Sequence, residues 1–253
     1  MGRSALITGA GGGLGRGLAL ALARRGYRLH LHGRDESRLR ALADEIGTRT
    51  MTQIHCADLS DASACSRFMD QLPAGSEAPN LLIHNAALMP AGDFLRRSAA
   101  EVEAVFAVNL FAPAELTRRL CAASDPPQGV LFILSAASRF PQPYNSLYSA
   151  SKAGLRFLAE SLQAELAGKT RVCLAYPPLT DTPMTARFRS PLPKADPLRV
   201  AERIIRACEA GRAEIAWRDW EMVPSLFYRF FPALFRHLLK NRRDIFAKAF
   251  ETE

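Results

Sequence analysis

Long apolar runs are missing from this 253-residue chain. No stretch of 18 or more hydrophobic residues occurs, so no ordinary membrane-spanning helix is expected. Cysteine is scarce and shows no pairing pattern: Cys56, Cys65, Cys121, Cys173 and Cys208 are odd in number and form no CxxC. Neither a disulfide framework nor a zinc site is suggested. No metal is therefore expected, and a reducing, cytoplasmic compartment fits. Cys56 and Cys173 lie in apolar runs and read as small core residues. A secretory leader is not expected either, because the chain passes at once into the strand-like run Ser4–Thr8. Leu6 stands where a myristoylation signal carries Ser or Thr. Internal repeats and low-complexity linkers are absent. One catalytic domain over 1–217 is expected, with 218–253 as its C-terminal extension. Acids are the minority charge, 25 against 33 Lys and Arg, for a net +8. Such an excess suits nucleic acid, anionic lipid or a phosphorylated ligand. No basic-aromatic sheet motif or recognition helix accompanies it, so nucleic acid is not expected as a partner.

Hydrophobic residues make up 48% of the chain, ample for a packed core and too many for wholesale disorder. Their arrangement alternates. Short apolar runs fall at 5–8, 28–32, 51–56, 80–84, 130–134 and 171–176. Between them, 13–25, 36–46, 61–71, 99–121 and 147–167 carry helix-period patterns. Strand and helix in alternation imply an α/β fold with a parallel sheet covered on both faces. Right-handed crossovers make it doubly wound, with ligands at the carboxyl ends of the strands. A Pro-rich stretch over about 177–197, with Pro177, Pro178, Pro183, Pro191 and Pro193, reads as a mobile substrate loop. Asp196 then caps a helix that has Pro197 in its first turn and runs to about Ala210. Arg212–Trp217 is expected as a seventh, edge strand, and the remainder from Glu221 to Phe250 as helix.

The first strand runs into Thr8-Gly9-Ala10-Gly11-Gly12-Gly13-Leu14-Gly15, and a helix follows. Glycine permits positive φ and lets backbone approach a pyrophosphate. The helix N-terminus presents free N–H groups and the positive end of its dipole. A Gly-rich turn that only reverses the chain is the competing reading. Placement at the first strand-to-helix turn favours phosphate binding.

With these residues the chain resembles the short-chain dehydrogenase/reductase family, and specifically its NADP-preferring members. Gly9, Gly13 and Gly15 match the family's TGxxxGxG cofactor loop, which also includes Gly11, Gly12 and Leu14 here. Asp58-Leu59 matches the acidic-apolar pair that contacts adenine. Asn85-Ala86-Ala87 is similar to the family's NAG turn, with Ala87 in place of Gly. Asn109, Ser135, Tyr148 and Lys152 match the catalytic tetrad in order and spacing; Ser138 is a rival to Ser135 at the wrong spacing. Pro177-Pro178-Leu179-Thr180-Asp181-Thr182 is similar to the PGxxxT segment, with Pro178 in place of Gly. The resemblance spans roughly 4–210. It implies a Rossmann-like sheet of about seven strands, with Pro177, Leu179 and Thr182 against the cofactor. It further implies that Lys152 contacts the nicotinamide ribose and that Asn109 holds a water in a proton relay. A homodimer or homotetramer built through the helices near Ala99 and Leu147 is implied as well.

Tyr148 and Lys152 stand at i and i+4, on one face of a helix. A free phenol has a pKa of about 10, and a nearby ammonium stabilises the phenolate. Tyr148 can then serve as general acid in reduction and general base in oxidation. Ser135, at the end of the fifth strand, can hydrogen-bond the substrate oxygen as charge develops. Each residue alone has a plain structural explanation, such as a helix start around Ser149 and Ser151. Jointly, at family spacing behind a phosphate loop, they read as a site.

The second strand ends Leu31-His32-Gly33-Arg34-Asp35. Gly33 takes the place where NAD-preferring relatives carry Asp, a residue that would bond the ribose hydroxyls and repel a 2′-phosphate. Arg34 next to it can fork to that phosphate and stack on adenine. NADP(H) is therefore the expected cofactor, with NAD(H) left open if Asp35 takes the ribose role.

In the extension, Leu226, Phe227, Phe230, Phe231, Leu234, Phe235, Leu238 and Leu239 make one broad apolar face. Over 222–243 there are five basic residues and no acid. Packing on its own or a neighbouring subunit, a lid over an apolar pocket, and an interfacial helix on the inner face of an anionic membrane all fit. Pro232 should kink or break the helix in each case. The resulting expectation is reversible hydride transfer between NADP(H) and a hydrophobic small-molecule ketone or secondary alcohol, such as a 3-oxoacyl chain, a steroid-like ketone or an aromatic ketone. The alternative is a cofactor-binding sensor or scaffold with little turnover.

Overall fold

Every residue of Ser4–Ile7 (β1) is buried, and a strand with both faces buried needs strands beside it and layers above and below. The computed structural model, which describes residues 2–188, 193–217 and 222–250, supplies both. β2 (Arg28–Gly33), β3 (Thr52–Cys56), β4 (Leu81–His84), β5 (Gly129–Ile133), β6 (Arg171–Tyr176) and β7 (Glu214–Ala216) join β1 in one sheet of order β3-β2-β1-β4-β5-β6-β7. All the strand pairings are parallel. Residues alternate across the sheet. Ile7 joins the core under α1 (Gly13–Ala23), α2 (Glu36–Ile46) and α7 (Pro197–Glu209). Leu6 joins the opposite core under α3 (Ala62–Asp70), α5 (Ala112–Cys121) and α6 (Ser146–Glu165). The expected doubly wound, Rossmann-like fold is the one observed. β1 pairs with β2 on one side and β4 on the other, so the order reverses there. That reversal opens a crevice at the strands' carboxyl ends.

Caps start the helices where the sequence offers short oxygens. Asp196 accepts from Leu198 N and Arg199 N ahead of α7, as its place before Pro197 predicts. Ser98 and Glu101 form a capping box ahead of α4 (Ala99–Phe106).

Three features differ from the sequence reading or refine it. The stretch 99–121 is not one α-helix: a π-helical segment, Ala107–Phe111, separates α4 from α5. Cys56 is exposed rather than a core residue, because β3 is the edge strand and Cys56 ends it, whereas Cys173 is buried on β6. Pro232 breaks the C-terminal helix, giving α8 (Met222–Phe230) and α9 (Pro232–Asn241), followed by α10 (Arg243–Phe250). Phe227 and Tyr228 of α8 pack on Phe235 of α9, with ring centroids 5.9 and 5.3 Å apart. Among the described residues no helix is long and apolar enough to cross a membrane. Pro191 of the Pro-rich loop and Glu221 lie outside the described residues.

Candidate active site

The loop between β1 and α1 is shaped by what its glycines exclude. Gly9 has φ 67°, and a Cβ there would lie 2.8 Å from Ala86 Cα. A Cβ on Gly15 would lie 2.1 Å from Gly9 O. Neither position accepts a side chain, so bare backbone faces the crevice. Thr8 fastens this loop to the next turn: its Oγ1 accepts from Asn85 N at 3.0 Å and Ala86 N at 3.1 Å. Asn85 answers with Nδ2 donating to Thr8 O and Gly9 O at 3.1 and 3.0 Å. The glycine loop and the Asn85–Ala87 turn are thus one unit. Thr182 leans on it from the Pro-rich loop, 3.0 Å from where a Gly13 Cβ would be.

Lys152 on α6 is 2% exposed. Its ammonium donates to Ile133 O at 2.8 Å and has no carboxylate partner among the described residues. Burial lowers its pKa to about 8. It sits 5.8 Å from the centre of the Tyr148 ring, one helical turn earlier on the same face. Ser135 lies two residues beyond β5, and its Oγ accepts from Ala137 N at 3.2 Å, so the hydroxyl proton is directed elsewhere. Ser138 is buried instead, donating to Ser135 O at 2.6 Å.

Asn109 takes a different position from the other three. It is wholly buried in the π-helical segment. Its Oδ1 accepts from Leu88 N at 2.8 Å, and its Nδ2 donates to Leu88 O and to Ser151 Oγ, both at 2.9 Å. The side chain therefore ties the segment after Asn85 to α6, next to Lys152.

One cleft of about 430 Å3 connects these groups. Its walls include Gly9, Gly12, Gly13, Leu14, Gly15, Gly33, Arg34, Asp58, Leu59, Asn85, Ala86, Ala87, Ser135, Tyr148, Lys152, Pro177, Leu179 and Thr182. Of the residues picked out from sequence, Gly11 and Asn109 do not line it. A Cβ on Gly11 would face Arg38 at 3.3 Å, so Gly11 allows α2 to approach the loop.

At the β2 end, Gly33, Arg34 and Arg38 all reach the wall. Arg34 Nη1 is 3.8 Å from Asp58 Oδ2. Burial pushes the Asp58 carboxyl up, but hydrogen bonds from Ser60 and the Arg34 charge outweigh it and hold the group below its ordinary pKa. Asp35 is spent as the α2 cap, accepting from Arg38 N at 3.1 Å and from Ser37 Oγ at 2.6 Å. His32 lines the same end, stacked on Phe68 at 4.4 Å and held neutral by burial, its pKa lowered to about 4.

Sequence reasoning missed Arg38, His32, Met89, Phe140, Phe188 and Phe250 as lining residues. The signal for Arg38 was its place four residues after Arg34, in the first turn of α2. Phe188 and Phe250 carried none, since they lie far apart in sequence yet their ring centroids come within 4.8 Å. The residues present fit a nicotinamide dinucleotide. There is a glycine loop whose backbone lines the cleft, a pair of guanidinium groups at one end, and near the other a buried ammonium with no carboxylate partner among the described residues.

The family model described as short chain dehydrogenase matches residues 3–192. The ketoacyl reductase HetN of Nostoc is 31% identical over 236 residues, covering 89% of this chain and 82% of that protein. Among solved structures, a short-chain dehydrogenase from Sphingobium yanoikuyae in complex with NADPH superposes with a TM-score of 0.78. It is 23% identical and covers 99% of this chain and 98% of its own. A metagenomic short-chain oxidoreductase in complex with NADP is 27% identical, with a TM-score of 0.71, over 85% of this chain and 96% of its own.

Proposed function

The chain belongs to the short-chain dehydrogenase family, and on that premise we propose that it transfers hydride reversibly between NADP(H) and a hydrophobic ketone or secondary alcohol. The observation that carries this reading is the convergence of Ser135, Tyr148 and Lys152 on the wall of one cleft floored by the glycine loop. A bound nicotinamide supplies or takes up the hydride. In reduction, Tyr148 Oη gives its proton to the carbonyl oxygen; in oxidation it takes the alcohol proton back. Ser135 donates its hydroxyl hydrogen to the same oxygen as negative charge grows there. Lys152 places a positive charge beneath Tyr148, and burial strengthens that field. Asn109 is a positioning residue: with both ends of its amide engaged, it fixes the Leu88 segment and α6 relative to each other.

Support for NADP(H) comes from the β2 end. Gly33 offers no carboxylate to repel a 2′-phosphate, Asp35 is occupied as a cap, and two guanidinium groups stand where the phosphate would lie. A 27%-identical relative was solved with NADP, in line with this reading. Support for a hydrophobic substrate comes from Leu88, Met89, Phe140, Met184, Phe188 and Phe250 on the wall. A ketoacyl substrate is the class named for the Nostoc relative, in line with a 3-oxoacyl chain. Phe111 and Phe157, on the helical stretches expected to join subunits, are each more than 60% exposed, in line with a homo-oligomer.

The test follows NADPH and NADH absorbance against a panel of ketones, with Arg34→Ala and Arg38→Ala beside the wild type. Turnover with NADPH is expected, and each variant should raise KM for NADPH about tenfold or more while sparing NADH. Equal effects on both cofactors would sink the NADP assignment. Tight cofactor binding with no oxidation across the panel would instead favour a sensor.

A further inference from the structure

Of the twelve large hydrophobic side chains left exposed among the described residues, six fall between Val223 and Leu238. Val223, Leu226 and Phe230 are spaced i, i+3 and i+7, so they share one face of α8. Leu234 and Leu238, at i and i+4, share one face of α9, and Phe231 sits at the joint. The inner face of the pair is already used: Phe235 packs on Phe140, a wall of the cleft, at 5.7 Å. The outer apolar strip has no cover among the described residues; Val223 is 66% exposed and Phe230 67%.

Charge identifies what covers it. Arg229, Arg236, Lys240 and Arg242 are all exposed. Over 222–243 there are five cations and no carboxylate. On helical spacing, Arg229 borders the strip on α8, and Arg242 directly follows the last turn of α9, near Leu238. Long basic side chains so placed can hold their charge at a headgroup while the apolar face enters the lipid boundary. A second copy of this chain is the poorer occupant. A two-fold contact would set the same basic rim against itself, with no carboxylate in the segment to relieve it.

We propose that the outer face of the α8–α9 pair docks on the surface of an anionic lipid bilayer. Apolar burial gives the grip, and the basic rim gives the preference for anionic headgroups. Because Phe235 links the pair to Phe140, the docked layer and the apolar wall of the cleft are in direct contact. A lipid-dissolved ketone would then meet the cleft beside the membrane, an extension that rests on the proposed reaction. Docking itself does not rest on it.

The experiment is flotation of the full-length protein through a density gradient. One set of vesicles is phosphatidylcholine alone and the other contains phosphatidylglycerol. Wild-type protein should float with the anionic vesicles, less so as salt rises, and not with the neutral ones. Combined Arg229→Glu and Arg242→Glu should weaken partitioning at least about 30-fold at low salt. Combined Leu226→Ser, Phe230→Ser and Leu234→Ser should weaken it about tenfold or more. NADPH binding in each variant reports that the fold is intact. Absence of flotation on anionic vesicles, or wild-type flotation indifferent to salt and headgroup, would overturn the proposal whatever the variants do. So would a solution oligomer, seen by light scattering, that dissociates in the serine variant, since it would assign the face to a second copy.

Discussion

Lys152 is a cation 2% exposed, and Phe230 is an aromatic ring 67% exposed. The cleft and the C-terminal helix pair depart from the usual distribution of polar and apolar groups in opposite directions. In the cleft, the Lys152 ammonium sits beside the Tyr148 phenol, and among the described residues that ammonium donates to a main-chain carbonyl and meets no carboxylate. Burying a charge without a counter-ion costs stability and shifts the group towards its neutral form. On α8 and α9 an apolar strip is exposed, and no described residue closes it. Each arrangement is unfavourable for the isolated protein; the proposed dinucleotide would relieve the first, and the proposed anionic surface the second. On those two proposals, a departure from ordinary burial marks a ligand site, and its sign tells what kind of ligand it takes.

The comparison can be broken most sharply at the cleft. Tyr148→Phe should lower kcat/KM about 10²–10⁴-fold while leaving NADPH affinity in place, as read by steady-state kinetics and fluorescence titration. Loss of cofactor binding instead would make Tyr148 structural. Next in size is a matched pair of truncations. Phe132→Ala, at a wholly buried ring on β5, should cost about 3–5 kcal/mol in urea unfolding. Phe230→Ser should change stability by less than about 0.5 kcal/mol. A large loss at Phe230 would mean that the strip is covered in solution, and the contrast would fail.

Lys152→Met sharpens the comparison further by separating activity from stability. Turnover should fall with the ammonium gone, while the apo protein should gain about 1–2 kcal/mol at neutral pH. The sign follows from the lowered pKa. Between about 8 and the ordinary lysine value, the unfolded chain holds a proton on Lys152 that the folded chain has released. Wild-type stability should therefore rise with pH across that window, by at most about 1.4 kcal/mol per pH unit. Below about 8 both states are protonated, and the burial penalty is present in full. Urea midpoints measured on either side of pH 8 check this: the rise belongs to Lys152 only if it disappears in Lys152→Met.

Much of the cleft was legible because its parts are local. The glycine loop sits at a strand-to-helix turn, and Tyr148 and Lys152 stand one helical turn apart. Gly33-Arg34 closes β2 where a strand end meets the crevice. Other parts were not local. Arg38 reaches the wall because Gly11, which has no Cβ, lets α2 come close. The π-helical segment Ala107–Phe111 shares its region of the sequence with two ordinary helical patterns. Within it, Asn109 is clamped to Leu88 and Ser151, 21 and 42 residues away. Cys56 looked like a core residue in an apolar run, but exposure followed from the edge position of β3.

By itself the sequence determined the alternation of strands and helices, the glycine loop at the first strand-to-helix turn, the order of the polar residues around Tyr148, and an unopposed positive charge over 222–243. Those are matters of period, spacing and count within short segments. Only the tertiary structure decided that Asn109 braces the site from outside the cleft, that Phe188 and Phe250 form one wall, and that the apolar face of α8–α9 divides into a packed side and an open one. The physical reason is that burial and contact belong to pairs of segments brought together across the fold, and no local pattern specifies its own partner.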